Sequence, residues 1–123
     1  MSADVYIGLG ANLGNPLTTF EKCLPLIEGY SEIISRSRIY RSAPFGYADQ
    51  PSFINAALRI ETNLPPLDLL KKLQETEKAL GKKVIRKNGP RVIDLDLLLY
   101  DELSLENDDL MIPHPRILER DFV

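Results

Sequence analysis

Apolar and polar residues alternate in two distinct rhythms along this chain. Asp4 to Leu9 is a short apolar run that predicts a buried strand, ended by a glycine-rich turn from Gly8 to Gly14. Asn15-Pro16 opens a helix, since proline is tolerated in a first turn. Leu17, Phe20, Leu24 and Ile27 follow at helical spacing and are expected to face the core. Pro25 falls inside this helix and predicts a kink or an early end. Ser31 to Arg41 reads as one strand, with Ile33, Ile39 and Tyr40 among its apolar members. Ser42 to Pro51 holds prolines and a glycine and reads as a long loop, a class often used for function. Phe53 to Glu61 is the next strand. Pro65-Pro66 starts a second helix that runs to about Leu80, with Gly81 as its stop. A basic loop from Lys82 to Arg91 leads into a strongly β-like run, Val92 to Tyr100. The order β-α-β-β-α-β predicts an α+β fold of the ferredoxin-like type, an antiparallel sheet with two helices on one face.

The last strand carries the sharpest chemistry. In Ile93-Asp94-Leu95-Asp96-Leu97-Leu98-Leu99-Tyr100, alternate side chains share a face. Ile93, Leu95, Leu97 and Leu99 are expected in the core. Asp94 and Asp96 then point together to the other side, roughly 6.5–7 Å apart. Two such charges repel by about 2.5 kcal/mol at an effective dielectric near 20, and a bridging divalent cation removes that cost. Hard oxygen donors without Cys or His favour Mg²⁺, which takes one or two carboxylates and completes its shell with substrate phosphates. Taken alone, the pair reads more plainly as a solvated sheet face.

The flanking residues shift that balance. Lys82, Lys83, Arg86, Lys87 and Arg91 place positive charge just before the carboxylates, as a nucleoside triphosphate requires. Gly89-Pro90-Arg91 turns abruptly into the strand and aims Arg91. His114 is stiffened between Pro113 and Pro115, with Arg116 and Arg120 beyond it. Phe53 and Phe122 are aromatics beside polar elements, and Asn55 shares the strand face of Phe53. Two rings can sandwich a flat heterocycle while an amide reads its edge, although each Phe alone reads as core. Leu70, Gln74 and Glu77 form one stripe on the second helix, fit either to read an adenine edge or to sit as boundary residues. Gly8-Leu9-Gly10-Ala11-Asn12-Leu13-Gly14 lacks the ending of a P-loop and the spacing of a dinucleotide fingerprint. It reads as a tight turn whose backbone approaches a ligand.

Composition excludes several classes. The 123 residues fit one domain, and 44% hydrophobic with 27% charged residues is an ordinary globular mix. The net charge of −3 argues against a general nucleic-acid binder. No apolar run suits a bilayer, and no basic-then-apolar leader opens the chain. The single cysteine, Cys23, points to a reducing, cytoplasmic setting, and one Cys with one His leaves no tetrahedral zinc set.

Taken together, Gly89-Pro90-Arg91-Val92-Ile93-Asp94-Leu95-Asp96, Ile112-Pro113-His114-Pro115-Arg116 and Arg120-Asp121-Phe122-Val123 resemble the 6-hydroxymethyl-7,8-dihydropterin pyrophosphokinase family. So do Leu9 to Gly14, Tyr40-Arg41-Ser42 and Asp49 to Ala57. The resemblance implies ATP and the hydroxymethyl-dihydropterin as substrates, AMP and the pterin diphosphate as products, and a place in folate biosynthesis. It implies two Mg²⁺ ions on Asp94 and Asp96, with Lys82, Arg91 and Arg120 in the catalytic machinery. It implies a pterin pocket of Ser42, Ala43, Phe45, Phe53, Asn55 and Phe122. The ATP side would draw on Leu70, Gln74, Glu77, Arg91, Leu97, Ile112, His114 and Arg120. The 42–51 and 82–91 loops would close over both substrates. Lys82 stands where the family usually has arginine, and an ammonium lacks the bidentate guanidinium fork. The expectation is a single domain over residues 1–123 without the family's C-terminal extension. It would act as a cytoplasmic monomer on small molecules, with no nucleic-acid or membrane partner. A non-catalytic pterin- or nucleotide-binding copy is the alternative; it would have no need of both aspartates.

Overall fold

A computed structural model describes residues 2–43, 50–82, 91–102, 105–106 and 111–112. Its elements run β1 (Ala3–Ala11), α1 (Pro16–Glu28), β2 (Glu32–Arg36), β3 (Tyr40–Ser42), β4 (Phe53–Thr62), α2 (Pro66–Ala79), β5 (Asp94–Tyr100), β6 (Leu105–Glu106) and β7 (Met111–Ile112). The main sheet has the order β2-β4-β1-β5, with β3 also paired to β4 and every pairing antiparallel. Counting β2 and β3 as one broken strand gives the ferredoxin-like α+β arrangement the sequence predicts. β6 and β7 form a short hairpin that the sequence pattern does not reveal. Among the described residues no helix is long and apolar enough to cross a membrane.

The core lies between the sheet and the two helices. Val5, Ile7 and Leu9 of β1 meet Leu58 and Ile60 of β4, Leu95 and Leu97 of β5, Phe20, Cys23 and Ile27 of α1, and Leu69 and Leu73 of α2. Each such side chain contributes roughly 1.5–3 kcal/mol by leaving water. Burial first, and then the charge of Glu77, push the Cys23 thiol up to about 12, which leaves it unreactive.

Four sequence expectations change. First, β1 continues through Gly8 and Gly10 to Ala11, so those glycines are strand residues rather than part of a turn. Second, Leu17 is 53% exposed. At 100° per residue it lies roughly a right angle from the centre of the Phe20, Cys23, Ile27 stripe, and Leu24 is only partly buried. Third, Pro25 neither breaks nor shortens α1. It faces solvent, where water can serve the carbonyl it leaves unbonded.

Fourth, the strand expected over 31–41 is broken. Ser37 interrupts it: its N–H donates to the Ala57 carbonyl, and its Oγ accepts from the Ala57 N–H. A related irregularity occurs in β5. The register against β1 slips between Tyr6 and Ile7, so Leu97 pairs Ile7 while Leu99 pairs Tyr6. Leu99 therefore leaves the core face, Tyr100 takes its place against the core, and Leu98 folds over Gly8.

Candidate functional site

Among the described residues both helices pack on one face of the sheet, and no helix covers the other, open face. On the open face β1 contributes Gly8 and Gly10. Gly10 pairs with Asn55 on one side and Asp94 on the other; Gly8 pairs with Ala57 and Asp96. At the usual strand spacing, Asn55 and Asp94 stand roughly 10 Å apart across a bare glycine backbone. A Cβ at Gly10 would stand 3.3 Å from Asn55 Oδ1. Leu98 covers Gly8, so Gly10 forms the floor of a trough with an amide wall and a carboxylate wall.

The amide wall comes from β3 and β4. Asn55 is fully buried, and its Nδ2 donates to Ser42 Oγ at 2.7 Å. That contact orients the amide, and Phe53, half-buried, shares its face of β4. Ser42 is half-buried and Ala43 exposed at the end of β3.

The carboxylate wall comes from β5. Asp94 and Asp96 lie half-buried on the open face, as alternation requires. Lys82 Nζ sits 2.7 Å from Asp94 Oδ1 and 3.0 Å from Glu77 Oε2, and Arg91 Nε lies 3.8 Å from Asp94 Oδ1. Burial alone would lower the Lys82 ammonium; the hydrogen bond and charge of Asp94, joined by those of Glu77, outweigh it and raise it. Arg91 is only 12% exposed in its side chain, so it is aimed at the carboxylate wall as the Gly-Pro-Arg turn predicts. Among the described residues no three His, Cys, Asp or Glu side chains gather as a ready-made metal cage. Two carboxylates on an open face, with cations beside them, suit Mg²⁺ that completes its shell with phosphates.

Glu77, which the resemblance sets beside an adenosine, also has structural partners of its own. It is 8% exposed, and its Oε2 accepts the Leu95 N–H at 2.7 Å. Among the described strands β5 lies at the edge of the sheet, and this carboxylate takes a backbone donor on its outer side. Burial raises its carboxyl above the ordinary range, against the opposing pull of the Leu95 N–H and Lys82. On the same helix Leu70 is half-buried and Gln74 exposed, so the stripe grades from core to solvent. The side chains of Leu97 and Ile112 enter the core. Phe45, His114, Arg120 and Phe122 lie outside the described residues.

Sequence reasoning gave Asn12 no role of its own. It is 3% exposed and contacts residues on both sides of β1. A polar residue directly after the last rung of a central strand is the signal that could have marked it.

A model of the family described as 7,8-dihydro-6-hydroxymethylpterin-pyrophosphokinase (HPPK) matches residues 6–123. The 2-amino-4-hydroxy-6-hydroxymethyldihydropteridine pyrophosphokinase of Aquifex aeolicus is 39% identical over 120 residues, covering 98% of this chain and 75% of that protein. Its counterpart in Bacillus subtilis is 38% identical, covering 100% and 75%. A folic acid synthesis protein of Dictyostelium discoideum is 42% identical over 97% of this chain, which spans only 18% of that larger protein. The HPPK-DHPS of Plasmodium falciparum superposes with a TM-score of 0.78 at 15% identity, covering 98% of this chain and 38% of that one, a likeness of fold.

Proposed function

Because the chain belongs to the 7,8-dihydro-6-hydroxymethylpterin-pyrophosphokinase family, we propose that it transfers the pyrophosphoryl group of ATP to 6-hydroxymethyl-7,8-dihydropterin. The observation that carries this reading is the trough itself. An oriented amide faces a carboxylate pair across a glycine floor, and cations flank the carboxylates. A flat heterocycle that can bond the Asn55 edge fits one wall. A metal–triphosphate fits the other.

In the reaction, the hydroxymethyl oxygen of the pterin attacks the β-phosphorus of ATP. The bond from that phosphorus to the oxygen bridging to the α-phosphate breaks, AMP leaves with it, and the hydroxyl proton is lost. Asp94 and Asp96 would hold Mg²⁺, which when bound neutralises phosphate oxygens. Lys82 and Arg91 add fixed positive charge beside the reacting phosphates, and such positioning supplies most of the catalysis in phosphoryl-type transfer. When phosphate arrives, the Lys82 ammonium can exchange Asp94 for a phosphate oxygen while Glu77 keeps it in place. Phe53, Asn55, Ser42, Ala43 and Phe45 bind the pterin, with Phe122 as the second ring. Leu70, Gln74, Leu97 and Ile112 border the adenosine, and His114 and Arg120 contact phosphates.

The test is a chromatographic assay with ATP, Mg²⁺ and the reduced hydroxymethyl-pterin. Pterin-dependent AMP is the expected product. ADP would replace the reading with ordinary kinase chemistry. A folded protein that binds both ligands and makes neither nucleotide would be a non-catalytic binding copy.

A further inference from the structure

The β1 ladder ends at Ala11, which pairs with Ile54, and at Gly10, which pairs with Asp94. One residue later Asn12 continues the pairing on both sides at once. Toward β5, its backbone N–H donates to the Arg91 carbonyl at 2.9 Å, and its side-chain Oδ1 accepts the Arg91 N–H at 2.8 Å. Toward β4, its Nδ2 donates to Gln50 Oε1 at 2.7 Å and to the Pro51 carbonyl at 3.0 Å. Every donor and acceptor of the amide is used. The reversed amide would set its oxygen against two acceptors and its NH₂ against the Arg91 N–H, so the partners dictate its orientation.

The positions joined are the entrances to both walls. Pro51 lies two residues before Phe53, and Arg91 lies three before Asp94. We infer that Asn12 is the positioning residue that holds the pterin wall and the phosphate wall in register, acting through Pro51 and Arg91 without touching either substrate. The inference rests on the pyrophosphokinase reading for what the walls bind. Side-chain chemistry is demanding at this point. Aspartate keeps the acceptor for Arg91 but turns the other arm against two oxygens. Serine has too few donors, and alanine removes both arms.

Asn12→Asp therefore separates the arms. Its Kd for the hydroxymethyl-pterin, by titration calorimetry, should rise about tenfold or more, while its Kd for a non-hydrolysable ATP analogue stays within a few-fold. Gln50→Ala, which weakens the same arm from the other end, should show the same split more mildly. Asn12→Ala should weaken both ligands and lower kcat. Amide exchange gives a readout independent of ligands: the Arg91 N–H should stay protected in Asn12→Asp and lose protection in Asn12→Ala. If Asn12→Ala does not fold, the aspartate and Gln50 variants carry the test alone. Parallel changes in both Kd values of Asn12→Asp and Gln50→Ala, or wild-type Kd values in variants that are only less stable, would overturn the positioning role. A wild-type chain that binds neither ligand would instead defeat the functional reading. The exchange pattern at Arg91 would then still decide whether Asn12 is the clasp.

Discussion

The two faces of β1 are built from the same nine residues and serve opposite ends. Toward the helices it presents Ala3, Val5, Ile7, Leu9 and Ala11, all buried. Toward the open side it presents Asp4, Tyr6, Gly8 and Gly10, and side-chain bulk vanishes where the carboxylates and Asn55 flank it. The helix face is filled for stability and the open face is emptied for a ligand. The lower end of the open face shows the contrast again: Asp4 pairs with Arg59 at 2.8 Å, both side chains well exposed, and such a pair is worth little. Bulk on one side of a strand and vacancy on the other are independent choices, because successive residues point to opposite faces.

The largest effect should come from the open face. Asp96→Ala is expected to reduce pterin-dependent AMP formation by on the order of 10³-fold or more. Its urea midpoint should barely move, because Asp96 is a half-buried surface group. Retained activity at ordinary Mg²⁺ would remove Asp96 from the metal site. The helix face should behave in reverse. Ile7→Ala should lose about 2–5 kcal/mol of stability in urea unfolding, while the protein that remains folded turns over normally. A large fall in kcat without loss of stability would erase the division between faces.

Glu77 straddles the division and should give an intermediate result. Glu77→Ala strands the Leu95 N–H and should cost about 1–3 kcal/mol. Glu77→Gln retains an acceptor and should cost less. It should also remove a pH slope. Because burial raises the Glu77 carboxyl above its ordinary 4.5, the native state binds the proton more tightly than the unfolded chain does. Stability should therefore fall as pH rises from about 4.5 through the raised value, and this component should be missing in Glu77→Gln. The smallest effect belongs to the floor. Gly10→Ala places a methyl group 3.3 Å from Asn55 Oδ1 and should cost a few-fold in pterin affinity. Gly8→Ala meets Leu98 at an ordinary 3.4 Å and should be nearer to neutral. The opposite ranking would show that the ligand lies over Gly8.

Much of this was legible in the chain. The period of two in β5 places Asp94 and Asp96 together, and Pro and Gly punctuation locates both helices and the start of β4. The errors share a cause. Ser37 breaking a strand, the slip that turns Leu99 out of the core, and Gly8 and Gly10 lying within a strand all depend on the neighbouring strand. Local pattern does not contain it. The helix face that carries Glu77 was readable, whereas the Leu95 N–H that its carboxylate accepts was not.

The sequence by itself determined the order of elements, the α+β class and the face on which the carboxylates lie. Those follow from side-chain periodicity and backbone restriction, which act over a few residues. Only the tertiary structure decided that Lys82 sits between Glu77 and Asp94, that Glu77 serves the edge of β5, and that Asn12 joins Pro51 to Arg91. The Asn12–Arg91 hydrogen bond spans 79 positions, and its strength depends on a fraction of an ångström. Residue order specifies such a contact only through the packing of the whole sheet.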